Sequence, residues 1–444
     1  LTDVTGVQTC ALPICLTALK RHDDVRLLLT QRIALYPRDF SLLVHRGGLA
    51  LQRGSADSAR ADFEAAIDLN PKNAQAYSMI ADYLVNARAN REAIAYLRRG
   101  REALRSPQMY VFEIARAAVM EMDYETAMDE YLSYLRASPQ TLYQIQQQIG
   151  MFSDIPEALD AAVRSARRQA EDTPDVAAVQ YLLAWLLMER KDYVGAYRVY
   201  REIDRLNKAG GMEIVTFANR AFNDRAYAVA AQAFGDAAAE HPEASFAPQA
   251  EFNRARSLEE LYAAEGLPEA LQPSGGEATR DGLPSSEAVT SYQGTIRLYE
   301  ELARKYPNQV VGSDSRYRIG FIRFHRFGDT DGALEILGDI AGTRMSVHGN
   351  PDADELIGDI HVARGDLDAA MAQYDALLPS QRLDPALRRE LRFKIAEAYF
   401  FKGAFDTVLV QLEPLMADVG TDIANDALDL SALIAQYRQP GELP

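Results

Sequence analysis

The sequence predicts an all-α chain folded as a right-handed α-solenoid of stacked antiparallel helix hairpins. Three observations carry that expectation. Small residues recur at a fixed interval: Ala59, Ala93 and Ala127 are 34 residues apart, as are Gly47, Ala81 and Ala115. Bulky residues keep the same step at Phe63, Leu97 and Tyr131, and Ala196 and Ala230 resume it with Tyr200 and Phe234 four positions on. Prolines at 37, 71, 139, 174, 242 and 307 punctuate the chain at gaps of 34, 68, 35, 68 and 65. A self-similar period of this length is the mark of one supersecondary unit repeated along the chain.

The unit itself explains the period. "LLVHRGGLALQRGSADSARADFEAAIDLNP" has apolar positions at helical spacing, a break at Gly54, a second amphipathic stretch and a stop at Pro71. Glycine takes the positive φ that closes a first helix, and proline cannot continue the second. Gly47 and Ala59 allow the two helices to approach closely, and Phe63 fills the space beside them. One such hairpin has no way to bury its own apolar face, so stacking is obligatory.

Taken in order, residues 1–15 stand apart. They hold both cysteines, Cys10 and Cys15, and Val4 to Ile14 reads as the translation of a common sequencing-library adapter. Residues 1–15 are therefore expected to be non-native, and the authentic N-terminus to be missing together with any signal peptide or lipid anchor. Residues 16–263 form an N-terminal sub-array, whose first unit shows only a second helix, "HDDVRLLLTQRIALYP". The fourth unit has Ala162 in register but no aromatic after it, which leaves room for a bend in the stack. Residues 264–288, rich in Gly, Pro, Ser and Glu, interrupt a repeat and are expected to be a flexible loop, read either as a spacer or as a docking segment. A C-terminal sub-array follows over 289–438, with Ala333, Ala370 and Val408 spaced by 37 and 38. It ends in a lone helix, "DIANDALDLSALIAQY", either a cap or a point where the array is cut, and residues 439–444 are a tail.

Composition narrows the function. The formal charge is −17, which argues against the phosphate attraction of a nucleic-acid binder. Residues 1–150 carry 17 basic and 17 acidic groups, so the whole excess lies beyond them, as a solvated surface or as a face that selects its partner by charge. No run of eighteen apolar residues marks a membrane span. No phosphate loop, dinucleotide fingerprint, zinc-protease motif or nucleophile elbow occurs, and the six histidines are scattered. No enzyme activity, cofactor or metal is expected. "RYRIGFIRFHRF" mixes Arg316, Arg318, Arg323 and Arg326 with aromatics, and reads either as a packed helix with flanking charges or as a basic spot for an anionic peptide group.

The small–small–aromatic signature (Gly47/Ala59/Phe63, Ala81/Ala93/Leu97, Ala115/Ala127/Tyr131, Ala184/Ala196/Tyr200, Ala218/Ala230/Phe234) and the turns "MDYETA" and "KDYVGA" resemble the tetratricopeptide repeat family. The resemblance covers roughly residues 20–438. It implies that the first helix of each hairpin lines a concave groove holding a protein or peptide. In that register Met109, Phe112, Val119 and Met120 face the groove in one unit, and Tyr317, Phe321, Phe324, Phe393, Phe400 and Phe401 farther on. They serve there as anchors or pack against neighbouring first helices; both readings stand. Val44, Gly48, Ser78 and Asp82 occupy positions where the family's carboxylate clamp needs Lys, Asn and Arg, which disfavours that use. Units around "FGDAAAEHPEASFAPQAEF" and "ELARKYPNQVVGSDSRYRI" resemble repeats of bacterial envelope proteins and imply a periplasmic or outer-membrane-associated scaffold. A cytoplasmic regulatory array, or the repeat part of a larger enzyme, are the alternatives. Because the 34-residue register puts Ala127 at a tight helix crossing, Ala127→Leu should cost about 1–3 kcal/mol in denaturant melts. A neutral result would refute that register.

Overall fold

The computed structural model describes residues 22–265, 292–340, 351–379, 383–417 and 420–437. The expected non-native segment, most of the interruption and the tail lie outside them. Among the described residues there are 22 α-helices and no strand. The chain divides into two compact units, residues 1–209 and 210–444.

The first unit opens with α1 (His22–Leu35), a helix with no described first arm. Five hairpins follow: α2 (Phe40–Gln52) with α3 (Ala56–Leu69), α4 (Ala74–Asn86) with α5 (Asn90–Leu104), and α6 (Val111–Met120) with α7 (Tyr124–Ala137). A short 3₁₀ turn leads to α8 (Leu142–Gly150) with α9 (Pro156–Asp172), then α10 (Ala177–Glu189) with α11 (Tyr193–Asn207). The second unit repeats the scheme with α12 (Met212–Asn223) and α13 (Tyr227–Glu240), α14 (Ala247–Glu265) and α15 (Tyr292–Lys305), and α16 (Val310–Phe327) and α17 (Thr330–Gly338). It closes with α18 (Pro351–Ala363) and α19 (Leu367–Leu377), α20 (Pro385–Phe401) and α21 (Phe405–Met416), and the single helix α22 (Asp422–Tyr437). The helices flanking the interruption are thus two arms of one hairpin, and Phe252 of α14 meets Tyr299 of α15 at 5.6 Å between ring centres.

The register read from the sequence is the packing register. Ala59, Ala93, Ala127, Ala162, Ala196, Ala230, Ala333, Ala370 and Val408 are all buried at the crossing of their hairpin. The bulky partners Phe63, Leu97, Tyr131 and Phe234 are buried beside them. In the fourth hairpin Ala166 holds the aromatic's place, and the buried Phe152 stacks on Tyr124 at 5.6 Å. The same contact recurs where the period stretches. A Cβ added at Gly358 would lie 2.2 Å from the Tyr374 ring, so glycine is the residue that lets α18 and α19 close.

The turns obey one geometry as well. After the first helix a residue takes the left-handed conformation, at Gly54, Arg88, Met122, Lys191, Arg225, Gly328, Gly365 and Gly403. Amides of the turn bond back to the helix end, as from Lys191 to the Met188 carbonyl (2.9 Å) and Asp192 to Leu187 (2.8 Å). Asp123, Asp192, Asp329 and Asp366 then cap the second helix, each carboxylate accepting from the amide three residues on. This explains the repeated turn phrases: aspartate satisfies an amide with no helical partner. At Gly365, where φ is +78° and nothing crowds the Cα, Gly365→Ala should cost about 1 kcal/mol from backbone conformation alone. Lys191→Gly, in the same turn position, should stabilise. Urea melts giving the same sign for both would contradict this account.

Candidate functional site

The first helices of the second unit, α16, α18 and α20, carry a set of polar and aromatic groups on one face. Their shared face is built by two kinds of contact. Aromatic side chains of one helix lie on the next hairpin: Tyr317, Phe321 and Phe324 of α16 are half-buried against a core of Ala333, Leu337, Ala353, Leu356, Ile357 and Ile360. Cations of one helix reach carboxylates of the preceding first helix. The Arg318 guanidinium of α16 forks onto Glu259 of α14, Nε to Oε2 at 3.1 Å and the second arm to Oε1. Lys394 of α20 donates to Glu355 (2.5 Å) and Asp359 (2.9 and 3.0 Å) of α18.

A tyrosine of the second helix completes each arrangement. Tyr299 donates to Glu259 at 2.9 Å and Tyr374 to Asp359 at 2.6 Å. Burial drives both phenols well above their ordinary range, and the carboxylate each one bonds adds to it. The phenols therefore stay protonated donors. The two tyrosine–carboxylate–cation sets tie each hairpin to the next through fixed polar geometry. Arg318 and Lys394 each stand two residues before the small residue of their helix, Gly320 and Ala396. That shared register is the signal in the sequence from which these ties could have been found, and the sequence reading missed it.

Other carboxylates on this face are held partly out of water. Asp314 is half-buried, makes no hydrogen bond or ion pair among the described residues, and its proton affinity is raised by burial and by Asp352. Glu355 is raised by burial in spite of Lys394. Glu397 is raised by burial too, with Asp426 and Asp359 adding to it and Lys394 opposing. Carboxylates held in a partly dry setting with like charges nearby bind protons more readily. His325 is held below its usual value by burial, so it stands neutral between Phe321 and Phe324, at 4.3 and 4.7 Å between ring centres.

The sequence-predicted site residues fall in two places. Met109 and Phe112 lie in or before α6 of the first unit and are half-buried; Phe112 meets Tyr131 at 6.0 Å and Tyr134 at 5.3 Å. Val119 is half-buried beside the exposed Met120, and Arg116 faces Asp82 of α4 across 3.9 Å. In the second unit Tyr317, Phe321 and Phe324 come together as described. Phe393 and Phe400 pack on a separate core of α20, α21 and α22 that includes Val408, Leu412 and Ala427. Phe401 is 64% exposed. Of the clamp positions, Val44 and Gly48 are buried and Asp82 is exposed.

Three of the four arginines of "RYRIGFIRFHRF" are engaged within the fold. Arg318 is held by Glu259, Arg323 lies 3.6 Å from Asp329, and Arg326 lies over the Tyr292 ring at 5.1 Å. His361 is 4.0 Å from Asp366. No group of His, Cys, Asp and Glu among the described residues has the arrangement of a metal site. No described helix is long and apolar enough to cross a membrane.

The family model described as tetratricopeptide repeat matches residues 18–74, 46–103 and 152–209, all in the first unit. No curated protein sequence matches the chain. Similar solved structures include yeast Tom70, at 12% identity over 97% of this chain and 89% of that one, with a TM-score of 0.39. A thermophilic TPR protein of Thermus thermophilus is 17% identical over 51% of this chain and 99% of its own, with a TM-score of 0.31. A tetratricopeptide repeat protein from Parabacteroides merdae is 14% identical over 64% and 97%, with a TM-score of 0.29.

Breaking one polar tie tests its weight. Glu259 and Arg318 keep only 6% and 18% of their side-chain exposure. Glu259→Leu strands a buried guanidinium and the Tyr299 hydroxyl and should cost about 3 kcal/mol or more, whereas Glu259→Leu with Arg318→Met should recover the part due to the guanidinium. Equal melting of the single and double variants would show that the pair carries no coupling.

Proposed function

We propose that this chain is a non-catalytic scaffold that holds a protein or peptide partner on its first-helix face, in the envelope of a bacterial cell. The observation that carries the reading is the surface of α16, α18 and α20, where the half-buried Asp314 and Glu397, with no hydrogen bond or ion pair among the described residues, stand among half-exposed rings. A surface of that kind gains when a partner covers it. Rings bury apolar area at small cost in side-chain freedom, and the carboxylates find donors that the chain itself does not provide.

The repeat architecture supports a binding role, since tetratricopeptide hairpins present one continuous side-chain face and bring no catalytic group with them. The envelope assignment rests on the two sequence units with tyrosine–proline or histidine–proline turns. In the second of these, Tyr306 caps α15 and its hydroxyl donates to Glu251 of α14 at 3.2 Å. The groove residues Met109, Phe112, Met120, Tyr317, Phe321, Phe324, Phe393 and Phe400 remain the proposed contact set, with the second-unit rings also serving the stack. Truncating Phe321 and Phe324 therefore has to be read in stability and binding together.

A positional test avoids that ambiguity. Peptides selected from a random display library against the whole chain should cross-link to a photoreactive residue placed at Met120 or Asp352, which are exposed on first helices. They should not cross-link from Arg297, which is exposed on the second helix α15. Cross-linking from Arg297 alone would move the partner to the opposite surface.

A further inference from the structure

We infer that the cleft at the C-terminal end of α20 seats an arginine side chain of the partner, which rests on the scaffold reading above and specifies its ligand. The cleft has a volume of about 220 Å³ and is lined by Asp359, Val362, Tyr374, Lys394, Glu397 and Phe401. Two of these groups are open to a ligand, although Phe401 also meets the Phe400 ring at 5.9 Å and Lys394 acts on Glu397 through its charge. Phe401 exposes 64% of its surface at the rim, and Glu397, one helical turn before it, makes no hydrogen bond among the described residues. Lys394 is committed elsewhere, to Glu355 and Asp359. The walls thus offer a carboxylate fork and a ring face side by side.

Those two features together select a guanidinium. Its planar fork matches a carboxylate with two parallel hydrogen bonds, and its weakly hydrated face stacks on an aromatic ring. A lysine ammonium, compact and strongly hydrated, does only one of these well. The chain already uses the same combination internally: Arg318 lies 4.5 Å over the Phe321 ring while forking onto Glu259. At Glu397 and Phe401 the carboxylate and the ring are present and the arginine is missing. Charge complementarity agrees, because residues 210–444 hold 21 basic against 37 acidic residues. A partner bringing positive charge to this unit relieves repulsion as it binds.

The test uses the whole chain and short fluorescein-labelled peptides of alanine and leucine with two arginines, and the same peptides with citrulline, lysine or glutamate in their place. Citrulline keeps the shape and most of the hydrogen bonding while removing the charge. Fluorescence anisotropy should show the arginine peptide binding at least about tenfold more tightly than the citrulline one, the size expected of a central charged contact. Glu397→Gln should abolish that preference, and Phe401→Ala should bring the arginine and lysine peptides to similar affinity. Glu397 makes no hydrogen bond among the described residues and Phe401 meets the Phe400 ring at 5.9 Å from an exposed rim, so circular dichroism should be unchanged and melting nearly so. Equal binding of arginine and citrulline peptides, or an arginine preference that survives Glu397→Gln, overturns the inference. If citrulline or glutamate peptides bind and still cross-link to first-helix positions, the arginine seat fails while the scaffold reading stands. If no peptide cross-links there, both fail.

Discussion

Everything in this molecule depends on the close crossing of two helices at a small residue in each. An α-helical hairpin buries only part of its apolar surface, and its remaining face must be covered by the next hairpin. That covering works only if successive hairpins leave the crossing at a constant angle, which in turn needs the two backbones to approach to the same distance every time. Ala59, Ala93, Ala127 and their successors, all buried, hold that distance. Where a large ring presses hardest, as Tyr374 does on α18, even alanine is too big and Gly358 takes the position. The left-handed turn residue and the aspartate cap serve the same end, since they fix how the second helix leaves the first.

The constraint also explains where function can reside. Crossing positions are taken up by packing, and the face of the first helices away from them carries the polar and aromatic groups described above. In the second unit that face has been used twice over. Part of it ties hairpin to hairpin through Tyr299–Glu259–Arg318 and Tyr374–Asp359–Lys394. Of the rest, Asp314 and Glu397 make no hydrogen bond or ion pair among the described residues, and Phe401 stands largely exposed beside Phe400. Buried ion pairs contribute little net stability but fix geometry, because losing either member is costly. They are suited to holding a binding face in shape while its open groups wait for a ligand.

The fold was legible because its determinants are local and periodic. The interval between Gly47, Ala59 and Phe63 is set within a single hairpin, and repetition made the pattern visible over the whole chain. Gly320 and Gly358 fulfil the same role, yet the stretched spacing of the last units hid them from a 34-residue ladder. The polar ties were harder still. Glu259 and Arg318 lie 59 residues apart across the interruption, and their meeting depends on the register of two hairpins and a loop of arbitrary length. Rings such as Phe321 and Phe324 were correctly placed on first helices. Sequence did not separate groove from packing, because one helical face serves both the neighbouring hairpin and the open surface. The structure gives these rings a share in the core of the next hairpin.

The central claim is that the first-helix face of the second unit holds carboxylates that the chain itself does not neutralise. Carbon-13 NMR titration of the aspartate and glutamate side chains in the free protein measures this directly. Asp314 and Glu397 should lose their protons above the ordinary values of 3.8 and 4.5, as burial and neighbouring acids require. Midpoints at or below those values would mean that cations within the chain already satisfy them, and the face would then have no vacancy for a partner to fill.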